Sequence, residues 1–331
     1  MPGPLSDVTI LEFQGLGPAP FAVMCLADMG ARVIRITRPG AAGNAIIGRH
    51  REDFPLNLKD KADHALALDL ARRADILVEG FRPGKMEGLG LGPDHCLAVN
   101  PGLVYGRMTG WGQTGPMAHL AGHDLNYLGL TGLLSLMGTP GQSPTPPLNL
   151  VSDYGGGGMY LALGLLGALL EARGFGKGKV VDAAMVHCTS HLGTLFHGLA
   201  AQGKWVPERG ANFLDGGAPF YRVYETSDGR FMAVGAIEPQ FWRNVLHVLD
   251  LPAAMLERQD DRTEWPRQSA ELAALFATRS QADWVSKFEG VDACVTPVLT
   301  LAEASRHPQM RPFFHNVDGV QLPRPAPRFT R

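Results

Sequence analysis

The segment VTILEFQGLGPAPFAVMCLADMGARVIRI, residues 8–36, reads as a strand, a turn, a helix and a second strand. Residues 8–13 are aliphatic and β-branched enough for a strand, and Gly15-Leu16-Gly17-Pro18 ends it. The apolar run 20–29 has helical length, Gly30 stops it, and 32–36 returns to strand character. The alternation continues with 65–73 as helix, 75–79 as strand, Gly80-Phe81-Arg82-Pro83-Gly84 at its carboxyl end, and 103–108 as strand before the glycine-rich loop 109–115. Residues 179–186 add another strand. Such alternation predicts an α/β fold on a parallel sheet, with its loops gathered at the carboxyl edge where open sheets bind ligands.

The nucleotide motifs that often occupy that edge are missing. Gly15-x-Gly17 is followed by Pro20 where a dinucleotide fingerprint needs its third glycine, and no glycine-rich stretch ends in Gly-Lys-Ser/Thr. Phosphates must then be held by arginines, lysines and loop amides. Thirty Lys and Arg against 32 Asp and Glu leave a net charge of −2, which argues against a general scaffold for nucleic acid or anionic membrane. With 331 residues, 45% hydrophobic and 19% charged, the chain has material for one large or two ordinary domains. Its four cysteines are far apart and form no Cys-x-x-Cys pair, which fits a reducing compartment, and residues 1–13 show no export signal, so the cytoplasm is expected. The longest apolar run, 159–170, falls short of a bilayer span and contains Gly164 and Gly167, so no membrane partner is expected.

Beyond the first sheet, 138–149 is a proline-rich loop and Asp153 precedes four glycines and the apolar helix. Residues 188–202 read as a helix leaving the first domain. A hairpin is expected from 221–226 and 230–234 around Ser227-Asp228-Gly229, followed by helices 241–249, 269–276 and 281–288 and a strand at 295–299. This is a second, α+β pattern. The expected boundaries are a large domain of 1–186 with 306–331, a linker 187–216, a small domain 217–300 and a return linker 301–305.

Three places join a titratable side chain to tightly turning backbone: His123 in Gly122-His123-Asp124-Leu125-Asn126-Tyr127, Asp153 after Ser152, and Glu238 in Ile237-Glu238-Pro239. Taken singly, each has a plain structural reading, as a helix-start histidine, a helix N-cap and a surface turn residue. An aspartate at a helix start also lies among free N–H groups, which suits a developing oxyanion. His187, His191 and His197 have no accompanying carboxylate at helical spacing, so no metal is expected.

Four segments carry a family resemblance: 26–36 (LADMGARVIRI), 107–116 (RMTGWGQTGP), 121–124 (AGHD) and 180–185 (VVDAAM). With them the chain, from about residue 5 to its end, resembles the family III CoA-transferases and, within them, the α-methylacyl-CoA racemases. The resemblance implies a Rossmann-like large domain, a smaller α+β domain and two interlocked subunits forming a homodimer. It implies His123 and Asp153 as paired acid/base groups and Glu238, from the partner's small domain, as the support of the imidazole. It implies CoA contacts at Arg38, at Leu56-Asn57-Leu58-Lys59, at Gly80-Phe81-Arg82, and at Gly122, Asp124, Leu125, Asn126 and Tyr127. It implies an acyl surface at Met108, Met185, Leu195 and Phe213, and no cofactor besides the CoA of the substrate. Gly88 departs from it by standing where relatives carry a further arginine, with Lys85 nearby to substitute. The methionine-rich acyl surface is also reduced, with Leu192, Leu195, Phe196, Leu199 and Phe213 in its place, and a further segment is expected beyond Arg331.

Inversion at a carbon next to a thioester needs one group to remove the α-proton and another to deliver a proton on the opposite face. Neutral imidazole with protonated carboxyl, or imidazolium with carboxylate, gives two states of equal net charge. A backbone amide at or near Asp153 is the expected donor to the enolate oxygen. The alternatives are a CoA-transferase with Asp153 as nucleophile, and a silent acyl-CoA-binding protein.

Overall fold

The computed structural model describes residues 3–41 and 46–330; residues 1–2, 42–45 and 331 of the expected large domain lie outside the described residues. The chain packs as two compact units, one holding the residues up to Leu134, Pro146–Leu195 and the segment from Pro325, the other Ser135–Thr145 and Phe196–Arg324.

The first unit opens with strand β1 (Thr9–Phe13), helix α1 (Pro18–Asp28) and strand β2 (Arg32–Thr37), as the opening segment predicts. Strand β3 (Arg51–Pro55), helix α2 (Lys61–Arg73), strand β4 (Ile76–Glu79), the short helices α3 (Lys85–Gly88) and α4 (Pro93–Val99), and strand β5 (Val104–Thr109) follow. Helix α5 (Asp124–Leu130), a π-helical turn at Leu150–Gly158, helix α6 (Met159–Phe175), strand β6 (Val180–Ala184) and helix α7 (Met185–Leu192) complete it, and helix α8 (Thr194–Ala201) carries the chain over the boundary after Leu195. The strands form one parallel sheet in the order β3-β2-β1-β4-β5-β6. The expected α/β class with a Rossmann-like parallel sheet is therefore present, and the order reverses between β1 and β4, the place where such sheets bind ligands.

Alternation along the strands builds a core on each face. Ile10, Ile76, Val78 and Val104 pack with α1 and α6, while Leu11, Leu77 and Tyr105 pack with α2 and α4 on the other side. Two buried ion pairs interrupt this apolar pattern, Arg51 with Glu12 (2.8 Å) and Arg107 with Glu79 (2.9 Å).

Within the first unit and the helices that follow it, the sequence expectation differs from the structure in four places. β3 is absent from it because Arg51-Glu52-Asp53 looks like a solvated charge run; these side chains instead pair across the sheet with Glu12, Arg32 and Arg35. The four glycines after Tyr154 are helical, so Asp153 lies inside the π turn and is not its N-cap, which is Asn149. The turn and α6 make one helix, Leu150–Phe175, of 26 residues, and by length and composition it could cross a membrane; half of its apolar window is buried in the protein, as in a core helix. The helix expected at 188–202 is two, divided at Gly193, where a side chain would strike Leu133.

In the second unit, β7 (Tyr221–Glu225) and β8 (Phe231–Gly235) form the expected hairpin. Helices α9 (Pro239–Val248), α10 (Ala254–Glu257), α11 (Trp265–Phe276) and α12 (Gln281–Phe288) precede β9 (Val295–Pro297), which pairs with β8. Their core gathers Phe220, Tyr224, Trp242, Trp265, Phe276 and Trp284. The tail is more regular than its composition suggests, with an antiparallel pair of Phe314–Val317 and Val320–Pro323 inside this unit.

Candidate active site

Two adjoining cavities open at the carboxyl ends of the parallel strands. The larger, about 890 Å³, is walled by residues following β1 (Gln14, Gly15, Leu16), β2 (Arg38, Pro39) and β4 (Gly80, Phe81), with Leu56, Asn57, Leu58, Lys59 and Lys85. The smaller, about 520 Å³, shares Leu16, Gly80 and Phe81 with it and adds Arg82, Met108, Trp111, Gly122, His123, Tyr127, Asp153 and Met185. A long cleft results, cationic at one end and carrying a histidine and a carboxyl group at the other.

Arg38, Lys59 and Lys85 are exposed side chains around the larger cavity, suited to phosphate oxygens. The start of α1, the usual anion seat of such folds, is a poor one here: Pro18 and Pro20 remove two of its first N–H groups. Gly88 faces open space, where an added side chain would meet nothing within 4 Å. The loop bearing Phe81 and Arg82 is anchored from below. Glu79 accepts the Phe81 N–H at 2.8 Å and Arg107 Nε at 2.9 Å, and the same guanidinium reaches Glu87 at 2.7 Å.

His123 caps α5, with its N–H donated to Asn126 Oδ1 at 3.0 Å, and its side chain is exposed. Tyr127, one turn on, donates its hydroxyl to the Gly122 carbonyl at 2.5 Å and packs edge-on against Trp111. Gly110 and Gly122 permit this, because a Cβ at either would overlap the Tyr127 ring. Asp153 is half-buried, accepts from Asn149 Nδ2 at 3.3 Å, and faces Gly17, whose φ of 72° favours glycine. Burial raises its pKa above the ordinary 3.8, and the neighbouring Asp124 adds to this; the Asn149 hydrogen bond and His123 oppose it. A carboxyl group whose ionisation burial opposes, on the same cavity as an imidazole, offers two proton-exchanging groups to one substrate.

Three of the expected CoA contacts, Asp124, Leu125 and Asn126, line neither cavity: Asp124 is buried, Asn126 caps the turn and Leu125 is exposed elsewhere. Met108 and Met185 wall the smaller cavity, whereas Leu195 is exposed on α8 and Phe213 packs against Trp205 in the second unit. Glu238, also of the second unit, stands at the N-cap of α9 without using its side chain to cap it. The Asp153 amide expected to meet an oxyanion is already donated to Asp124. His191 Nδ1 is hydrogen-bonded to the Tyr160 hydroxyl, and no group of three His, Cys, Asp or Glu placed for a metal occurs among the described residues. The pairing of Arg107 with Glu79 and the inward turn of Asp124 escape sequence reading, since each is defined by a partner distant in the chain.

The sheet order and the cleft at its switch point are those of an α/β enzyme, and the chain belongs to CoA-transferase family III, whose model matches residues 5–323. It is 45% identical over 330 residues to α-methylacyl-CoA racemase of Mus musculus, covering 99% of this chain and 87% of the relative. The Homo sapiens α-methylacyl-CoA racemase is 44% identical over 98% of this chain and 86% of its own length. Among solved structures, Rv3272 of M. tuberculosis superposes with a TM-score of 0.82 at 25% identity, over 99% of this chain and 94% of that one.

Proposed function

We propose that this enzyme is an isomerase that interconverts (R)- and (S)-2-methylacyl-CoA thioesters by proton transfer through an enolate. The observation that carries this reading is the placement of His123 and Asp153 on one cavity, in a chain 45% identical to a racemase. CoA lies along the larger cavity with its phosphates toward Arg38, Lys59 and Arg82, and the thioester reaches the smaller one. His123 serves the (S) face and Asp153 the (R) face, as the family resemblance implies. With the Asp153 amide occupied, a backbone N–H at the start of α5, next to His123, is the donor assigned to the enolate oxygen in this proposal.

The homodimer belongs to the same proposal, with Glu238 of the partner subunit orienting the His123 imidazole. Exposed apolar side chains on α6 and after it, Met159, Leu163, Leu170, Leu192 and Leu195, support a covered face. Four free cysteines, Cys25, Cys96, Cys188 and Cys294, support a reducing, cytoplasmic setting.

The test supplies each pure epimer of a 2-methylacyl-CoA without a carboxylate acceptor and follows configuration by chiral chromatography. Both epimers are expected to converge on one mixture, and His123→Ala to slow this by at least about 100-fold. Configuration that stays fixed until a carboxylate is added, with CoA then transferred to it, makes Asp153 a nucleophile and overturns the proposal.

A further inference from the structure

Asp124 follows His123 directly in the chain, yet its side chain turns away from the cleft and is 6% exposed. Its Oδ2 accepts the N–H groups of both Ser152 and Asp153 at 2.7 Å, across 28 and 29 residues of sequence. Its Oδ1 is equally buried and has no hydrogen-bond partner. Among the described residues Asp124 forms no ion pair. A buried carboxylate satisfied on one oxygen by two neutral donors is an expensive way to close a turn. Irregular π geometry in the Leu150–Gly158 segment it holds is itself frequent at functional sites.

We infer that Asp124 is a positioning residue that ties the backbone carrying one base to the backbone carrying the other, and thereby sets the separation at which His123 and Asp153 flank the α-carbon. This rests on the two-base reading above. His123 is fixed on its own side by α5, through the Asn126 cap and the Tyr127 bond to Gly122. Asp153 is fixed on its side by the π turn, whose Gly156, Gly157 and Gly158 press against Thr189, Met185, Pro18 and Phe21. Asp124 joins these two bodies at the two amides that lead into Asp153. Shifting a catalytic group by about 1 Å costs on the order of 100-fold in rate, so this bond controls the chemistry without touching the substrate.

The tie is also an electrostatic one. Ionisable groups acting on the Asp153 carboxyl are Asp124, which disfavours its charge, and His123, which favours it; Tyr127 in turn senses Asp153 and Arg82. The other helices packed on the turn bring Cys25 and Asp28 from α1, His187, Cys188 and His191 from α7, and Glu171 and Arg173 from α6. Of these carboxylates, Asp124 is the one bonded to the Asp153 backbone.

Two variants separate position from charge. Asp124→Asn keeps an oxygen acceptor and the shape while removing the charge; Asp124→Ala removes both. Expected for the alanine variant is a kcat lower by about 100-fold with KM for the acyl-CoA within about threefold of wild type. For the asparagine variant, a smaller loss is expected, with the acidic limb of the rate profile for the (R) epimer, which Asp153 serves as base, moved to lower pH. Asp153 is also titrated without turnover, by ¹³C NMR of protein labelled at the aspartate γ-carbons, its resonance identified by its loss in Asp153→Asn. Its midpoint is expected to fall in Asp124→Asn. A midpoint and acidic limb that do not move in Asp124→Asn, with kcat near wild type, overturn the inference, and the isosteric variant keeps that result readable if the alanine variant does not fold. Should wild type fail to racemise while the Asp153 midpoint still falls in Asp124→Asn, the tie stands and the functional reading is the one that fails.

Discussion

At position 153 a carboxyl group is held where burial and a neighbouring carboxylate both oppose its ionisation. Its folded-state pKa lies above the ordinary 3.8, so the folded protein binds a proton there more readily than the unfolded chain. The sign follows: the cost is absent below the ordinary value, grows as pH rises through the raised one, and is fully present above it. Asp153→Asn is therefore expected to be inactive yet to melt at a higher temperature than wild type at pH 8, with the gap closing as pH falls toward about 4. A gap that is absent or grows toward acid pH contradicts this account of the site. His123 lies in a segment that carries the family resemblance and Asp153 precedes a run of glycines, which made both readable as candidates, and both line the smaller cavity. Asp124 was read from the resemblance as a CoA contact, and its bond to amides 28 and 29 residues away was not readable.

At the scale of elements, the Leu150–Gly158 turn shows how packing overrides propensity. Glycine is disfavoured in helices, and replacement by alanine gains about 1 kcal/mol where space allows. Gly156 has none: a Cβ there would stand 2.3 Å from Thr189 Oγ1 and 3.1 Å from its Cα. Overpacking of this kind costs about 1–3 kcal/mol, so the loss outweighs the gain. Urea unfolding is expected to show Gly156→Ala less stable than wild type, whereas Gly174→Ala, with nothing within 4 Å, is neutral or more stable. If the two substitutions behave alike, close approach is not the reason for the glycines. The same competition explains what could not be read. A run of four glycines signals a loop until its neighbours are known, and Arg51-Glu52-Asp53 signals solvent until Glu12, Arg32 and Arg35 are seen beside it. Strands β1, β2, β4 and β5 were readable because their burial demands apolar sequence, whereas β6 is buried only at Ala183 and Ala184.

For the whole molecule, the sheet order gathers segments from residues 13 to 185 around one cleft, while Glu238 belongs to the other unit. If the partner supplies Glu238, mixing Asp153→Asn with Glu238→Gln subunits regenerates one intact site per mixed dimer, so that random exchange restores about a quarter of wild-type activity. Persistent inactivity of the mixture, with exchange verified, contradicts a shared site. The central claim is chemical and is met most directly by one measurement. A single epimer of a 2-methylacyl-CoA is incubated with the enzyme in D₂O, without a carboxylate acceptor, and the α-position is followed by NMR alongside chiral analysis. The account predicts deuterium entering the α-carbon as configuration is lost; an α-proton that stays in place, or exchange with full retention of configuration, would contradict it.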